Sequence, residues 1–201
     1  MAAIARAFPR TLIDVGTGDG RFPVLVARAR PDTFVIGLDP ATDTLAHAGR
    51  RVARDRVPNV MLLVGDVETV SRELAGVADE ARVHFPWGSL LRGVMGEDPG
   101  VLDAIARLPR PGGSLTLLLS LVTRDGLVAV QIDDLDRLAV HYAERSMTLI
   151  EARQLTKRDV REAGSSWGKR LDAGGKRPGV YLRFVRDRAS HAEQAEQAGH
   201  W

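Results

Sequence analysis

The residues best suited to chemistry begin at Asp14-Val15-Gly16-Thr17-Gly18-Asp19-Gly20, where two carboxylates accompany three glycines at alternate positions. Glycine lacks a β-carbon, so such a chain can turn tightly and approach a ligand closely. The loop stands between an apolar run and a helix-like stretch, the setting a nucleotide-cradling loop needs. A plain tight turn would use the same residues, so the loop gains weight only from its partners. One is Asp39, in Ile36-Gly37-Leu38-Asp39-Pro40, about 20 residues beyond the glycines, where a carboxylate can hold both hydroxyls of a ribose. Another is Gly65-Asp66-Val67-Glu68, whose polar residues would sit near an adenine ring at the same edge, although Asp66 or Glu68 would serve equally as a helix cap.

Two aromatic segments add a second function. Trp87, in His84-Phe85-Pro86-Trp87-Gly88-Ser89-Leu90-Leu91-Arg92-Gly93, follows an apolar run and stands beside a proline that stiffens the chain, placed to stack on a planar base. A buried core tryptophan is the alternative. Trp167, in Ser165-Ser166-Trp167-Gly168-Lys169-Arg170-Leu171, is surrounded by glycine, serine and cations, which argues against a core role. Two indoles can clasp one base. Stacking is worth roughly 1 to 3 kcal/mol per base, comparable with the few kcal/mol that unstacking it from RNA costs. The five histidines, His47, His84, His141, His191 and His200, show no metal-ligand spacing and are expected in surface or packing roles. Without cysteine, the chain has no disulfide, thiolate metal site or cysteine nucleophile.

The elements that must position these residues alternate short apolar runs with longer amphipathic stretches, the pattern of crossover helices over a parallel sheet. Strands are expected at Thr11–Val15, Thr33–Leu38, Val60–Val64, Ala81–Phe85, Ser114–Leu119, Met147–Ala152 and Val180–Val185. Helices are expected at Arg21–Arg30, Asp43–Asp55, Val70–Leu74, Val101–Leu108 and Leu135–Ala143. Asp98-Pro99-Gly100 and Pro109-Arg110-Pro111-Gly112-Gly113 read as turns bracketing the fourth helix. Thr156–Gly179 shows no sustained period and reads as a long loop before the last strand; loops of that length usually work. The fold class is α/β, a seven-stranded, mostly parallel sheet with helices on both faces. Residues 1–188 are expected to form one domain, with 189–201 a flexible tail.

Formal charge is only +2, but its distribution is uneven. Lys157–Arg188 holds ten basic residues against four acidic ones, leaving the rest of the chain at −4. A polyanion would therefore dock on one side; a solvated arginine-rich surface is the other reading. No stretch reaches the roughly 18 apolar residues that would span a membrane, and no signal-peptide core is present, so a cytoplasmic protein is expected.

The acidic D-x-G-x-G-x-G loop resembles motif I of the Rossmann-like methyltransferases; Arg21 stands where dinucleotide folds place a third glycine. Three segments together resemble the aminoglycoside-resistance 16S rRNA (adenine(1408)-N(1))-methyltransferases: Ile13–Asp19 with Asp39-Pro40, Pro86-Trp87-Gly88 with Leu90–Gly93, and Ser165-Ser166-Trp167 with Arg170-Leu171. The resemblance implies an enzyme that uses S-adenosylmethionine to methylate ring nitrogen 1 of one adenine in the 30S subunit, giving resistance to kanamycin and apramycin. It implies a cofactor and target pocket lined by Asp14, Gly16, Gly18, Asp39, Asp66, Val67, Glu68, Phe85, Trp87, Ser165, Ser166 and Trp167. Trp87 and Trp167 would hold the flipped base, and Arg50, Arg51, Arg54, Lys169, Arg170, Lys176 and Arg177 would hold rRNA phosphates. A monomer is expected. Family members carry a β-hairpin ahead of the glycine strand, whereas about ten residues precede it here, which implies a smaller RNA-docking surface on that side. A tRNA or small-molecule N-methyltransferase is the second enzymatic reading, and a nucleic-acid-binding module of the same fold the non-enzymatic one.

Overall fold

The computed structural model describes residues 2–5, 7–120, 135–164 and 178–188. Seven strands, β1 (Arg10–Val15), β2 (Thr33–Asp39), β3 (Val60–Val64), β4 (Ala78–His84), β5 (Pro109–Leu119), β6 (Met147–Gln154) and β7 (Val180–Arg186), form one sheet in the order β3-β2-β1-β4-β5-β7-β6. β1 to β5 pair in parallel, and β7 runs antiparallel between β5 and β6. The helices are α1 (Ala2–Ala5), α2 (Arg21–Ala29), α3 (Thr42–Arg54), α4 (Val67–Val70), α5 (Gly88–Val94), α6 (Pro99–Ala106), α7 (Leu135–Ala143) and α8 (Lys157–Glu162).

Both faces of the sheet are covered, as a largely parallel sheet requires. Ile13, Val15, Ile36, Leu38, Ala81, Val83, Leu115, Leu117 and Phe184 pack with residues of α4 to α7 in the main core. The opposite face is covered by α2 through Phe22 and Ala27 on Leu12 and Val35. On that second face, Phe85, Leu118 and Leu155 gather Val160 of α8 and Ala163 just beyond it into a smaller cluster. Asn59 ties this side together: its side-chain amide, buried, donates to the carbonyls of Ala27 (2.9 Å) and Thr33 (2.8 Å).

The chain leaves β1 toward β2 on one side and takes up β4 on the other, so the order reverses between β1 and β4, and a crevice opens beyond their carboxyl ends. Because β7 is antiparallel to both neighbours, β6 points the same way as the parallel strands. The β6–β7 connection therefore emerges at the same sheet edge as the glycine loop.

Four expectations are corrected. Phe85 is not the last residue of β4 but a turn residue with φ of 51°, and α5 follows Trp87 directly. The third helix lies at Val67–Val70, earlier than expected, because the Asp66 carboxylate caps it by accepting from the Thr69 amide at 2.8 Å. Pro109 to Gly113 belong to β5 rather than a turn; Pro109 is tolerated as a first strand residue beside a register shift, where no ladder donor is missed. The long loop contains α8, nucleated by a capping box in which Thr156 and Asp159 bond each other's backbone amides. Six residues are too few to show a period, so that capping box was the available signal. Among the described residues, no helix is long and apolar enough to cross a membrane.

Candidate active site

The glycine loop is fastened to its neighbours before any ligand is considered. Leu38 at the end of β2 accepts from the Gly16 and Thr17 amides at 2.8 and 3.0 Å. Asp39 accepts from Gly18 N at 2.7 Å through Oδ2 and from Ala41 N at 2.9 Å through Oδ1. Gly16 and Gly18 adopt φ of 74° and 57°, the left-handed region that β-carbons disfavour. At Gly16 a β-carbon would also stand 2.7 Å from Leu90, so the loop packs directly on α5.

A cavity of about 370 Å³ opens between this loop, the end of β4 and the chain after α8. Asp14, Gly16, Thr17, Gly18 and Asp39 border it on one side, His84 to Leu90 on another, and Ala163 and Gly164 on a third. A smaller lobe of about 70 Å³ is lined by Asp66, Val67 and Glu68, and shares Gly16, Pro40, Ser89 and Leu90 with the larger one. Asp66 borders this lobe while capping α4, so its two expected uses are compatible.

Trp87 is 75% exposed, which rules out the core reading. Its presentation follows from the backbone: Phe85 at φ 51° and Gly88 at φ 59° bracket Pro86 and Trp87 in a tight elbow, and Phe85 is itself buried, anchoring it. A non-glycine residue at positive φ costs about 1 kcal/mol or more and persists where the surroundings hold it. Two later residues of the P-W-G-x-L-L-R-G segment serve packing instead. Leu91 and Gly93 are buried, and a β-carbon on Gly93 would lie 2.1 Å from Val101, so the glycine lets α5 press against α6.

Below the elbow Asp14, an expected site residue, meets His84, for which no part in the site is expected from the sequence. His84 is buried with Nδ1 3.8 Å from Asp14 Oδ1, and Phe22 meets the imidazole edge to face at 4.6 Å. Burial pushes the Asp14 carboxyl up to about 7, against the lowering influence of the nearby Thr17 hydroxyl and Arg82 guanidinium. Burial, and secondly Arg82, push the His84 imidazole down to about 3. The imidazole is therefore neutral at physiological pH, and the contact is not an ion pair. The cue in the sequence was the alternation Glu80, Arg82, His84 along a central strand, where a parallel sheet normally carries apolar side chains on both faces. Thr17, Pro40, Ser89, Leu90, Ala163 and Gly164 were also not singled out, being ordinary residues that only the fold brings to one place.

Of the expected cations, Arg50 and Arg54 are exposed on α3, with Arg50 2.8 Å from His47 Nδ1 and Arg54 bonded to Asp55. Arg51 instead reaches back to the Asp19 carbonyl at 3.0 Å and braces the glycine loop. Ser165, Ser166, Trp167, Lys169, Arg170, Lys176 and Arg177 lie outside the described residues.

The site fits an adenosine-bearing cation. The buried Thr17 Oγ1 lines the cavity with no hydrogen-bond partner among the described residues, three acidic residues, Asp14, Asp19 and Asp39, border the larger lobe, and the smaller lobe offers a separate recess for a base.

A family model described as NpmA, 16S rRNA (adenine(1408)-N(1))-methyltransferase, matches residues 1–185. A 16S rRNA (adenine(1408)-N(1))-methyltransferase of Streptoalloteichus tenebrarius is 37% identical over 172 residues, covering 80% of this chain and 79% of that protein. One from Escherichia coli is 27% identical over 191 residues, covering 88% and 87%. Among solved structures, a single-site mutant of the Catenulisporales acidiphilia 16S rRNA (adenine(1408)-N(1))-methyltransferase, crystallised with cosubstrate SAM, is similar with a TM-score of 0.83 at 30% identity, covering 94% of this chain and 91% of that one. The chain belongs to the 16S rRNA (adenine(1408)-N(1))-methyltransferase family, with a Rossmann-like class I fold that takes S-adenosylmethionine as methyl donor.

Proposed function

We propose that this chain methylates ring nitrogen 1 of adenine 1408 in 16S rRNA of the assembled 30S subunit, as a monomer in the bacterial cytoplasm, and so confers aminoglycoside resistance. The observation that carries the reading is Trp87, an exposed indole held on a strained elbow at the mouth of a cavity edged by Asp14 and Asp39. When bound, S-adenosylmethionine supplies an electrophilic methyl group.

The chain's own residues bind and orient. Asp39 holds the ribose with the lone pairs left by Gly18 and Ala41, and Asp14, Gly16 and Gly18 border the remainder of the donor. Asp66, Val67 and Glu68 receive the adenine ring in the smaller lobe, against Ser89 and Leu90 of α5. Trp87 stacks on the extruded target base, and the family likeness assigns Ser165, Ser166 and Trp167 to the same task. Adenine nitrogen 1 has a free lone pair at neutral pH, so no general base is needed, and proximity with orientation supplies the rate. Neutral, buried His84 takes no proton in this scheme. Arg50 and Arg54, with Lys169, Arg170, Lys176 and Arg177, contact rRNA phosphates, while Arg51 braces the glycine loop.

Primer extension on purified 30S subunits incubated with the protein and S-adenosylmethionine tests this. A stop at the target adenine is expected, together with kanamycin and apramycin tolerance on expression in a sensitive bacterium. Methyl incorporation into tRNA, with no stop in 16S rRNA, would replace the reading by the tRNA one.

A further inference from the structure

Along β4, Glu80, Arg82 and His84 share one face and run from the surface to the cavity floor beneath α2. Glu80 ties the outer end, accepting from Arg30 at 2.9 Å and from Arg82 at 2.7 Å. Arg82 lies directly opposite Asp14 in the β1–β4 register, so both side chains project to the same side. It does not line the cavity; its guanidinium rests 5.5 Å from the Phe22 ring, and its Nε is buried with no hydrogen-bond partner among the described residues. Asp14 does line the cavity and is 2% exposed.

A buried carboxyl at the floor of a site for a cationic donor poses a charge problem. Burial at the floor favours the neutral acid, whereas a bound cation favours the carboxylate. We propose that Asp14 meets the donor's positive charge by releasing a proton to solvent, and that Arg82, opposite it on β4 and outside the cavity, is the positioning residue that sets how readily it does so. The proposal rests on S-adenosylmethionine as donor and deepens that assignment.

The titratable and charged groups facing Asp14 are Asp39 on β2 and Arg82 and His84 on β4, beside the neutral Thr17 hydroxyl of the glycine loop. Arg82 alone among them carries positive charge, since His84 is neutral. Asp39 opposes ionisation and Arg82 assists it. With the Asp14 carboxyl pushed up to about 7 in the free protein, donor affinity rises with pH below neutrality and levels off above it.

Isothermal titration with S-adenosylmethionine between pH 5.5 and 7.5, in two buffers of different ionisation heat, reads the released proton directly. In that range the donor's own amino group stays largely protonated. Nearly one proton released per site at pH 6, falling toward none at higher pH, is expected, with affinity changing about tenfold per pH unit below the midpoint. Arg82→Met and Arg82→Gln should both raise the midpoint, so that release at pH 7 grows and affinity there drops several-fold, while Arg82→Lys stays close to wild type. Asp14→Asn should remove the linkage altogether. Wild-type binding that shows no buffer dependence at pH 6 overturns the proposal on folded, unaltered protein. A midpoint unmoved in the foldable Arg82 variant overturns the role of Arg82. Absence of any binding at pH 7.5 would instead remove the donor assignment, and this proposal with it.

Discussion

Trp87 illustrates how much a single side chain's setting decides. An indole that is three-quarters exposed forgoes most of the burial energy it would have in a core, a loss of the order of 2 kcal/mol. A backbone strained at Phe85 to keep it there implies a use for the exposed ring. Trp87→Ala should therefore lower methyl transfer to 30S subunits by about 10- to 100-fold, the value of one base stack. The affinity for S-adenosylmethionine, read by titration calorimetry, should change by less than about twofold. A parallel loss of donor affinity would place the indole against the cofactor rather than the target base. Residue identity made Trp87 conspicuous in the chain. Its neighbour His84 was classed with four others as packing, because no spacing distinguishes a histidine beneath a cofactor cavity from one beneath a helix.

At the level of elements, helix α5 converts a chemical-looking motif into two separate tasks. Trp87 precedes it at the site, while Leu91, Gly93 and Val94 face α6 and the core. Gly93→Ala introduces a methyl group where Val101 already stands 2.1 Å away. Overpacking of that kind costs about 1 to 3 kcal/mol, more than the gain of roughly 1 kcal/mol that alanine brings to a helix interior. A lowered urea midpoint for Gly93→Ala is the expected result; unchanged or raised stability would mean that α5 and α6 do not press together. The strands and the long helices were legible because each keeps its period over many residues. The short helices α5 and α8 were not, and α4 is legible only with its ends displaced, since four to seven residues barely complete two turns and capping residues such as Asp66 and Thr156 are equally good loop formers.

For the folded chain taken together, Asp14 and His84 act on stability in opposite directions. Asp14 has a raised value, so its contribution is full below its ordinary value of 3.8 and is lost as pH rises to about 7. His84 has a lowered value, so its contribution is full above its ordinary 6.5 and is lost as pH falls to about 3. Between about pH 4 and 6.5 the two slopes offset each other. His84→Phe should therefore lose stability relative to wild type as pH rises through that window, by about 1.4 kcal/mol per unit, and Asp14→Asn should gain at a similar rate. Urea unfolding at pH 4.5, 5.5 and 6.5 checks both; a variant whose curve runs parallel to wild type would mean that the replaced residue is not titrating as described. Neither slope is readable from the chain in one dimension. Glycine loop, carboxylate, proline-tryptophan elbow and basic segment each declare themselves within a few residues, because local backbone demands and side-chain chemistry are written in adjacent letters. Strand order, the antiparallel placement of β7 that turns the β6–β7 connection toward the crevice, and the burial that alters Asp14 and His84 depend on pairings between distant segments. Such pairings are chosen by packing and the exclusion of water, and no run of neighbouring residues records them.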